Sequence, residues 1–319
     1  MKLTIFPNVL LIWLLKCDFI KCTKRPIIGI LVKEFTNYDT FTNDPANATG
    51  FIGANYVKAV ESCGARVVPI FIRQNYSYYE QIMNSINGVV LPGGKTTIKP
   101  GFPYYDASSI IFKIAKQLND KGITFPILSI CLGFQAMLTI HNNDTNLLTQ
   151  CDSFYESYPL EFQPNFTRSQ LFFNSDQQLF LSLKLLRITI NNHKYCISPL
   201  NFTKSNLPKE WRVTSLSTTN RGVKFIATVE HIKYPFFGVQ FHPEMAAFHW
   251  PEEFCIPHDR VTVRANQYFY DKLVIISTLN DNKFEDVEEE RKTLIYNYNT
   301  IYCQAKPYQY YIQRYIFYN

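Results

Sequence analysis

The sequence lacks several features that would assign it to a common functional class. It has no run of five or more Lys or Arg residues, although it contains 32 of them against 26 Asp and Glu, which argues against binding to a nucleic-acid backbone. It has no C-x-x-C pair, which argues against a structural zinc site or a dithiol redox motif. It also has no internal repeat. With 319 residues, the chain is long enough to bury a core without metals or many disulfides.

The N-terminus has no apolar run long enough to cross a bilayer. The stretch Val9–Leu15 lies between Lys2 and Lys16, and a spanning helix needs about 20 apolar residues. This pattern predicts a secretory signal peptide over residues 1–22, cleaved between Cys17 and Thr23, with a membrane anchor as the weaker alternative. We therefore expect an extracellular or lysosomal (vacuole-like) protein that does not bind membranes.

The sequons and cysteines are consistent with passage through the secretory pathway. Asn-x-Ser/Thr sequons predict glycosylation, which needs lumenal exposure. Some of the later cysteines are expected to pair in an oxidising compartment, although the sequence does not give the connectivity. The sequons begin at Asn47, Asn75, Asn143, Asn165 and Asn201, and the candidate disulfide partners are Cys63, Cys151, Cys196, Cys255 and Cys303.

Apolar runs alternate with helix-period segments through the first half of the chain. This alternation predicts an α/β fold, a three-layer sandwich in which helices cover both faces of a mostly parallel sheet. Between Thr149 and Phe237 the pattern becomes β-rich, which predicts extra antiparallel strands on the same core. A separate domain there is the alternative, but no linker marks a border, so we expect one domain over residues 23–319. The predicted strands are Pro26–Val32, Ala65–Ile72, Ile86–Leu91, Pro126–Ile130, Leu186–Ile190, Trp211–Ser217 and Val223–Glu230, and the predicted helices Ile52–Cys63, Asp106–Asn119, Val261–Ile276 and Lys283–Tyr296.

The segment Pro126–Gln135 contains an apolar strand that ends at Cys131 and turns through Gly133 into a helix. Such an elbow holds a nucleophile away from the sheet, with the N–H groups of the following helix directed at the group it attacks. A cysteine needs a nearby imidazolium to be a thiolate at acidic pH. His242, followed by Pro243 and Glu244, ends another apolar strand. Residues i and i+2 of an extended segment project to the same side, so Glu244 can orient the His242 ring.

Acyl transfer also requires hydrogen-bond donors for an oxyanion. The elbow supplies the N–H of Leu132, and the Pro92-Gly93-Gly94 turn is expected to supply that of Gly94. Taken singly, a cysteine after a strand is more often a buried hydrophobe and a Gly-Gly pair is usually a turn. Their order on one α/β pattern favours the catalytic interpretation. The remaining histidines, His141, His231, His249 and His258, are expected to be surface or structural residues.

These motifs resemble the class I glutamine amidotransferase-like fold, which is flavodoxin-like, and within it the folate γ-glutamyl hydrolases. Pro92–Gly94, Cys131–Gln135 and Gly238–Glu244 are shared with glutaminase domains. Further segments resemble the hydrolases specifically, and the resemblance extends from about Arg25 to Tyr302. These segments are Arg25–Leu31, Tyr56–Lys58, Glu61–Pro69, Ser85–Gly88, Pro159–Leu160, the Asn165 and Asn201 sequons, and Tyr234–Pro235.

The resemblance implies hydrolysis of γ-glutamyl bonds in folylpoly-γ-glutamates by a cysteine-type omega peptidase, through a thioester acyl-enzyme. It assigns Cys131 as nucleophile, His242 as proton carrier and Glu244 as its orienter, and it implies no metal or organic cofactor. The partner is then a small-molecule substrate, and the family is typically a homodimer. His193 and Gln135 are implied in substrate binding, with a surface histidine on a β-turn as the alternative for His193.

The sequence departs from the family pattern at several places. Ser129 stands where the elbow usually has glycine, and Gln135 stands where a glutamate is expected and resembles a glutaminase. The tract Thr36–Thr49 is longer than in relatives and is expected to be an exposed loop. A polyglutamate tail also requires cationic partners for its carboxylates. The candidates are Lys33, Arg66, Arg73, Lys95, Lys99 and Arg168.

Two rival interpretations remain. A glutaminase subunit that delivers ammonia to a synthetase would use the same three catalytic residues, but a signal peptide and sequons argue against it. A secreted, non-catalytic binding protein would be expected to have lost part of the triad, and Cys131, His242 and Glu244 are all present.

Overall fold

The computed structural model describes residues 23–36, 47–251, 254–303 and 311–318. The predicted signal segment 1–22 and residues 37–46 of the predicted loop lie outside the described residues. In the described part, the strands are β1 (Ile27–Leu31), β2 (Lys33–Glu34), β3 (Ala48–Gly53), β4 (Arg66–Ile70), β5 (Gly88–Leu91), β6 (Ile127–Ile130), β7 (Leu148–Tyr158), β8 (Glu161–Phe162), β9 (Thr189–Ile197), β10 (Trp211–Thr218), β11 (Lys224–His231), β12 (Phe236–Val239), β13 (Thr300–Tyr302) and β14 (Gln313–Tyr318).

Helices connect most of the parallel strands. They are α1 (Ala54–Ser62), α2 (Tyr76–Ser85), α3 (Pro103–Asp120), α4 (Leu132–Asn142), α5 (Gln177–Leu185), α6 (Pro199–Lys204), α7 (Met245–Phe248), α8 (Arg260–Ser277) and α9 (Val287–Thr293). None of the helices in the described ranges has the length and hydropathy of a membrane span.

The central sheet has eight strands in the order β4-β1-β5-β6-β12-β11-β10-β8. The first five are parallel to one another, and the last three are antiparallel additions at one edge. The predicted α/β fold with a mostly parallel sheet and extra antiparallel strands is therefore confirmed. The β-rich middle of the chain extends the same sheet, because β8, β10 and β11 lie in it.

Helices cover both faces of this sheet, because its parallel strands are apolar on both sides. Ile27 and Val89 pack in one apolar cluster with residues of α2, α3 and α4. Their strand neighbours Ile28 and Val90 pack in a second cluster with residues of α1 and α8. Successive side chains of a strand point to opposite faces, so this split makes three layers. Full burial of each such side chain contributes about 1.5–3 kcal/mol.

Several predicted boundaries differ from the structure, and three of these differences have a clear local cause. The first helix begins at Ala54 rather than Ile52, because residues 48–53 form β3 between β2 and β14 in a second, antiparallel sheet. The strand predicted at Leu186 begins at Thr189, since Leu186 still caps α5. The last helix begins only after Asp286, whose side chain accepts from the N–H of Glu288.

Strands β7 and β9 form a separate two-stranded ribbon. A disulfide between Cys151 and Cys196 joins its two strands. The ribbon carries residues 148–158 and 189–197, which include His193. It lies beside the carboxyl ends of the parallel strands, where α/β proteins bind their ligands.

Candidate active site

Cys131 stands between β6 and α4, at the predicted elbow. Its φ of 51° and ψ of −104° are unusual for a residue with a side chain, and such backbone strain costs about 1–3 kcal/mol. The Cys131 N–H donates to the Val239 carbonyl at 2.8 Å, and the Cys131 carbonyl accepts from the Gln135 N–H at 3.0 Å. These bonds hold the thiol at the N-terminus of α4. Cys131 is a thiol and not part of a disulfide.

Serine replaces the usual glycine of the elbow without disrupting it. Ser129 is fully buried, and its hydroxyl donates to Met137 Sδ at 3.2 Å. The side chain therefore fits between β6 and α4.

His242 reaches Cys131 because their strands are neighbours in the sheet. In the parallel pair β6 and β12, Ile130 is the register partner of Val239, so the chain after each strand leaves the same edge of the sheet. The backbone N–H of His242 donates to the Ile190 carbonyl of β9 at 2.7 Å. A Cβ placed on Gly93 would lie 2.6 Å from His242 Cε1 and 3.2 Å from Cys131 Cβ. Both side chains thus border the same small space.

Glu244 orients the His242 ring. Its Oε1 lies 2.7 Å from His242 Nδ1, and both side chains are fully buried. Because a carboxylate only accepts hydrogen bonds, Nδ1 carries a proton. The other ring nitrogen, Nε2, is then the one that can exchange a proton with Cys131. Cys131, His242 and Glu244 therefore have the geometric arrangement of a catalytic triad.

Electrostatics favour the protonated ring. Burial alone would lower the pKa of His242, but the charges of Cys131 and Glu244, together with hydrogen bonds to both, raise the pKa of His242 to about 10. The His242 ring is therefore an imidazolium at neutral and acidic pH, and it lies beside the thiol.

The Pro92-Gly93-Gly94 turn lies beside the thiol. Gly94 has a φ of +152°, a conformation that glycine adopts most readily, and it packs against the aliphatic part of Lys33. The Gly93 N–H donates to the Tyr56 hydroxyl at 3.0 Å. In the part of the chain that the structure describes, the N–H groups of Gly94 and Leu132 donate to no other protein group, and both residues line the cleft. They are therefore available to a ligand oxygen.

A cleft of about 790 Å³ opens above Cys131. One wall is the β7–β9 ribbon, through Phe154, Asn192, His193, Lys194 and Tyr195. The Cys131 Sγ lies 3.9 Å from the Asn192 carbonyl at the base of this wall. The volume suits a ligand of drug size or larger.

The two residues predicted to bind substrate also line this cleft. The Gln135 amide nitrogen donates to the Tyr195 carbonyl at 2.6 Å and to Gln240 Oε1 at 3.1 Å, so it joins α4 to the ribbon. His193 lies on strand β9 and is only 5 % exposed, which rules out the alternative of a surface histidine on a turn. Burial, and then the charge of His242, lower the pKa of His193 to about 3. His193 is therefore neutral at physiological pH.

The candidate cations divide into cleft residues and others. Arg73 and Lys95 line the cleft, as does Lys194, which was not among the predicted cations. Arg66 instead pairs with Glu290. Lys33 is buried and donates to the Glu34 carbonyl at 3.1 Å. The remaining candidates, Lys99 and Arg168, are exposed and outside the cleft lining.

Four sequon asparagines are exposed, namely Asn47, Asn75, Asn143 and Asn165. Asn201 differs, because its amide nitrogen donates to the Leu147 carbonyl at 3.1 Å and to Thr149 Oγ1 at 3.0 Å. A glycan would replace one of the two hydrogens on that nitrogen, so the two bonds could not both persist unchanged in the folded protein.

One group of side chains in the described residues has the composition of a metal site. The candidate ligand atoms of His141, Glu210 and His231 lie within 4.8 Å of one another. However, His231 Nδ1 accepts from the N–H groups of Lys233 and Tyr234 at 3.0 and 3.2 Å, so a neutral His231 carries its proton on Nε2. A metal ion would have to displace that proton. We therefore regard the group as two histidines that lie beside the Glu210 carboxylate, at 3.3 and 3.4 Å, and not as a metal site.

Several residues of the site were not among those predicted from the sequence. Tyr56, Asn192, Lys194 and Tyr195 are adjacent to the thiol, the histidine or the cleft. Tyr56 belongs to a segment that resembles the hydrolases, and the other three flank His193. Their closeness in sequence to that segment and to His193 was the only indication that these four residues belong to the site.

Comparison with known proteins shows the family of the chain. Residues 51–250 match the family model "Glutamine amidotransferase class-I", so the chain belongs to that family. Its relatives include the γ-glutamyl hydrolase of Mus musculus, 36% identical over 88% of this chain and 86% of the relative. γ-Glutamyl hydrolase B of Dictyostelium discoideum is 32% identical over 87% and 79%, and γ-glutamyl hydrolase 2 of Arabidopsis thaliana is 31% identical over 88% and 79%. Within the family, the chain is a hydrolase of γ-glutamyl bonds.

Proposed function

We propose that this protein cleaves the γ-glutamyl bonds of folylpoly-γ-glutamates, with Cys131 as nucleophile, His242 as proton carrier and Glu244 as its orienter. The contact of Glu244 with the buried His242 ring, beside the elbow thiol, is the observation that carries the proposal. Membership of the γ-glutamyl hydrolase family supports the bond type.

The first half of the reaction forms a thioester. The Cys131 thiolate attacks the γ-carbonyl carbon, and the carbonyl oxygen becomes an oxyanion that accepts from the N–H groups of Leu132 and Gly94. The C–N bond then breaks while the His242 imidazolium gives its proton to the departing amine nitrogen. Each oxyanion donor typically contributes about 10²–10³ in rate.

The second half releases the acyl group. Neutral His242 takes a proton from a water molecule, whose oxygen attacks the thioester carbon. The C–S bond breaks, the carboxylic acid product leaves, and Cys131 returns to the thiolate beside an imidazolium. Glu244 keeps Nδ1 protonated in both halves, so that Nε2 carries the transferred proton.

The cleft chemistry supports a substrate with an aromatic body and an anionic tail. Arg73, Lys95 and Lys194 line the cleft and offer cationic partners for α-carboxylates. Phe102 and Phe154 are 43 % and 53 % exposed in the same cleft, and aromatic rings of this kind can stack on a pteridine or aminobenzoyl ring.

We also propose that the protein acts outside the cytosol, in a lysosome-like compartment or in the extracellular space. The Cys151–Cys196 disulfide supports this proposal, because such bonds persist in oxidising compartments. The exposed sequons are consistent with the same route.

The experiment is product analysis on defined pteroylpenta-γ-glutamate. We expect release of glutamate or short γ-glutamyl peptides, with shorter pteroylglutamates as the other products. The same protein is offered glutamine in parallel. Release of ammonia from glutamine, with the pteroylpentaglutamate left intact, would favour the glutaminase alternative and overturn the proposal. A protein that retains the fold and cleaves neither compound would indicate the binding-protein alternative.

A further inference from the structure

Tyr56 of α1 places its hydroxyl between the Gly93 turn and the candidate catalytic histidine. The side chain is 1 % exposed. Its oxygen accepts from the Gly93 N–H at 3.0 Å and lies 3.4 Å from His242 Nδ1. One buried oxygen therefore contacts both the turn that supplies an oxyanion donor and the ring that carries the proton.

The proton on Nδ1 defines the role of this oxygen. Because Glu244 Oε1 accepts the single Nδ1 proton at 2.7 Å, Nδ1 has no lone pair to offer the Tyr56 hydroxyl. The Tyr56 oxygen accepts from the Gly93 N–H, and with its second lone pair, at 3.4 Å, it is a weaker acceptor that shares the Nδ1 proton with Glu244. Burial, followed by the charge of Glu244, raises the pKa of Tyr56 far above its ordinary value, so the hydroxyl stays neutral.

A second tyrosine provides a natural comparison. The Tyr104 hydroxyl of α3 donates to the Pro92 carbonyl at 2.6 Å, and Tyr104 is also fully buried. The turn is therefore fixed from α1 through Gly93 and from α3 through Pro92. Among the described hydrogen bonds, only the Tyr56 hydroxyl of these two also reaches His242.

We propose that Tyr56 is a positioning residue that couples the oxyanion turn to His242. By holding the Gly93 N–H, it leaves the adjacent Gly94 N–H directed to the cleft. By placing an oxygen beside Nδ1, it stabilises the imidazolium form of His242. The inference rests on the proposed Cys131–His242 chemistry.

The test compares three single variants that each remove one hydroxyl. Tyr56→Phe removes the coupling, and Tyr104→Phe removes only a bond to the turn. Tyr78→Phe is the matched control, because the Tyr78 hydroxyl accepts from the Phe71 N–H at 3.0 Å without lining the cleft. The measurements are kcat and KM on a γ-glutamyl substrate, and the rate of Cys131 alkylation by iodoacetamide as a function of pH.

For Tyr56→Phe we expect kcat to fall about 10–100-fold with little change in KM, since part of the support for one oxyanion donor is lost. Because the imidazolium is less stabilised, the midpoint of the alkylation profile should move up by about 0.5–1 pH unit. Tyr104→Phe should lower kcat without moving the midpoint, and Tyr78→Phe should change neither. A folded Tyr56→Phe with unchanged kcat and midpoint would overturn the proposal, and a fall in kcat without a shifted midpoint would overturn the coupling to His242.

If Tyr56→Phe does not fold, 3,5-difluorotyrosine at position 56 keeps the shape and makes the oxygen a weaker acceptor. We expect the same direction of shift in the alkylation midpoint, and an unmoved midpoint would overturn the proposal. Alkylation does not require substrate turnover. If the parent protein leaves γ-glutamyl substrates intact, the proposed function fails while the alkylation arm still tests Tyr56.

Discussion

The backbone N–H of His242 donates to the Ile190 carbonyl at 2.7 Å. This bond attaches the candidate catalytic histidine to the β7–β9 ribbon. The same ribbon provides the wall of the cleft that includes His193. The ribbon's geometry and the position of the histidine are therefore linked through strand β9.

This link predicts an effect of the Cys151–Cys196 disulfide. Its partners are 45 residues apart, and a crosslink over such a loop stabilises a fold by about 4 kcal/mol in the chain-entropy model. The double variant Cys151→Ser, Cys196→Ser should lose that much free energy of unfolding in urea and should show a raised KM. Cys63→Ser, at a half-buried thiol in α1's C-cap, is the control. An unchanged free energy of unfolding in the double variant would contradict the prediction.

Removal of the Glu244 charge should impair the proton carrier. In Glu244→Gln the His242 Nδ1 loses its carboxylate acceptor, so the ring can adopt the wrong tautomer, and we expect kcat to fall about 10²–10⁴-fold. The control is Glu161→Gln, at an exposed carboxylate that pairs with Lys224 at 2.9 Å. Steady-state kinetics at one pH check this, with thermal unfolding to confirm the fold. Equal activity of the two variants would remove Glu244 from the mechanism.

Lys194 is exposed on the cleft wall and is expected to bind a carboxylate of the substrate tail. Lys194→Met should raise KM more for a pentaglutamate than for a diglutamate, because only the longer tail supplies additional carboxylates. Lys209→Met changes a lysine outside the cleft, which donates to Asn206 Oδ1 at 3.2 Å, and should leave both KM values unaltered. A Lys194→Met protein with the same KM ratio as the parent would argue against this contact.

Buried histidines should give the protein a stability maximum near pH 6.5. Burial lowers the pKa of His193 to about 3, and those of His231 and His249 to about 4, so below about pH 6.5 the unfolded chain binds protons that the folded one does not. As the pH falls below 6.5, each such histidine lowers the free energy of unfolding by up to about 1.4 kcal/mol per pH unit. His242 acts in the opposite direction. Its pKa of about 10 gives stability that is fully present below pH 6.5 and is lost as the pH rises toward 10.

Urea unfolding at pH 4.5, 6.5 and 9 measures this profile. In His249→Gln the free energy of unfolding should fall less between pH 6.5 and pH 4.5 than in the parent protein, because one buried histidine no longer takes up a proton on unfolding. The same fall in both proteins would show that His249 is not held neutral.

The sequence predicted the part of the site that depends on parallel strands. Apolar runs that end at Cys131, Gly94 and His242 place those residues at one edge of a sheet, and strand pairing then brings them together. The ribbon was not predictable in this way, because pairing of β7 with β9 depends on contacts between residues far apart in the chain. For the same reason neither the Cys151–Cys196 disulfide nor the position of the Tyr56 hydroxyl follows from local sequence.

The most direct test of the account is to trap the acyl-enzyme. The protein is mixed with pteroylpenta-γ-glutamate, quenched in acid during turnover, digested, and analysed by mass spectrometry. We predict a peptide whose Cys131 is heavier by the pteroyl-containing acyl part of the substrate, with however many glutamates remain after cleavage; this adduct should be removable by hydroxylamine and absent in Cys131→Ala. Glutamate release with no adduct on Cys131, together with undiminished hydrolysis by Cys131→Ala, would contradict it.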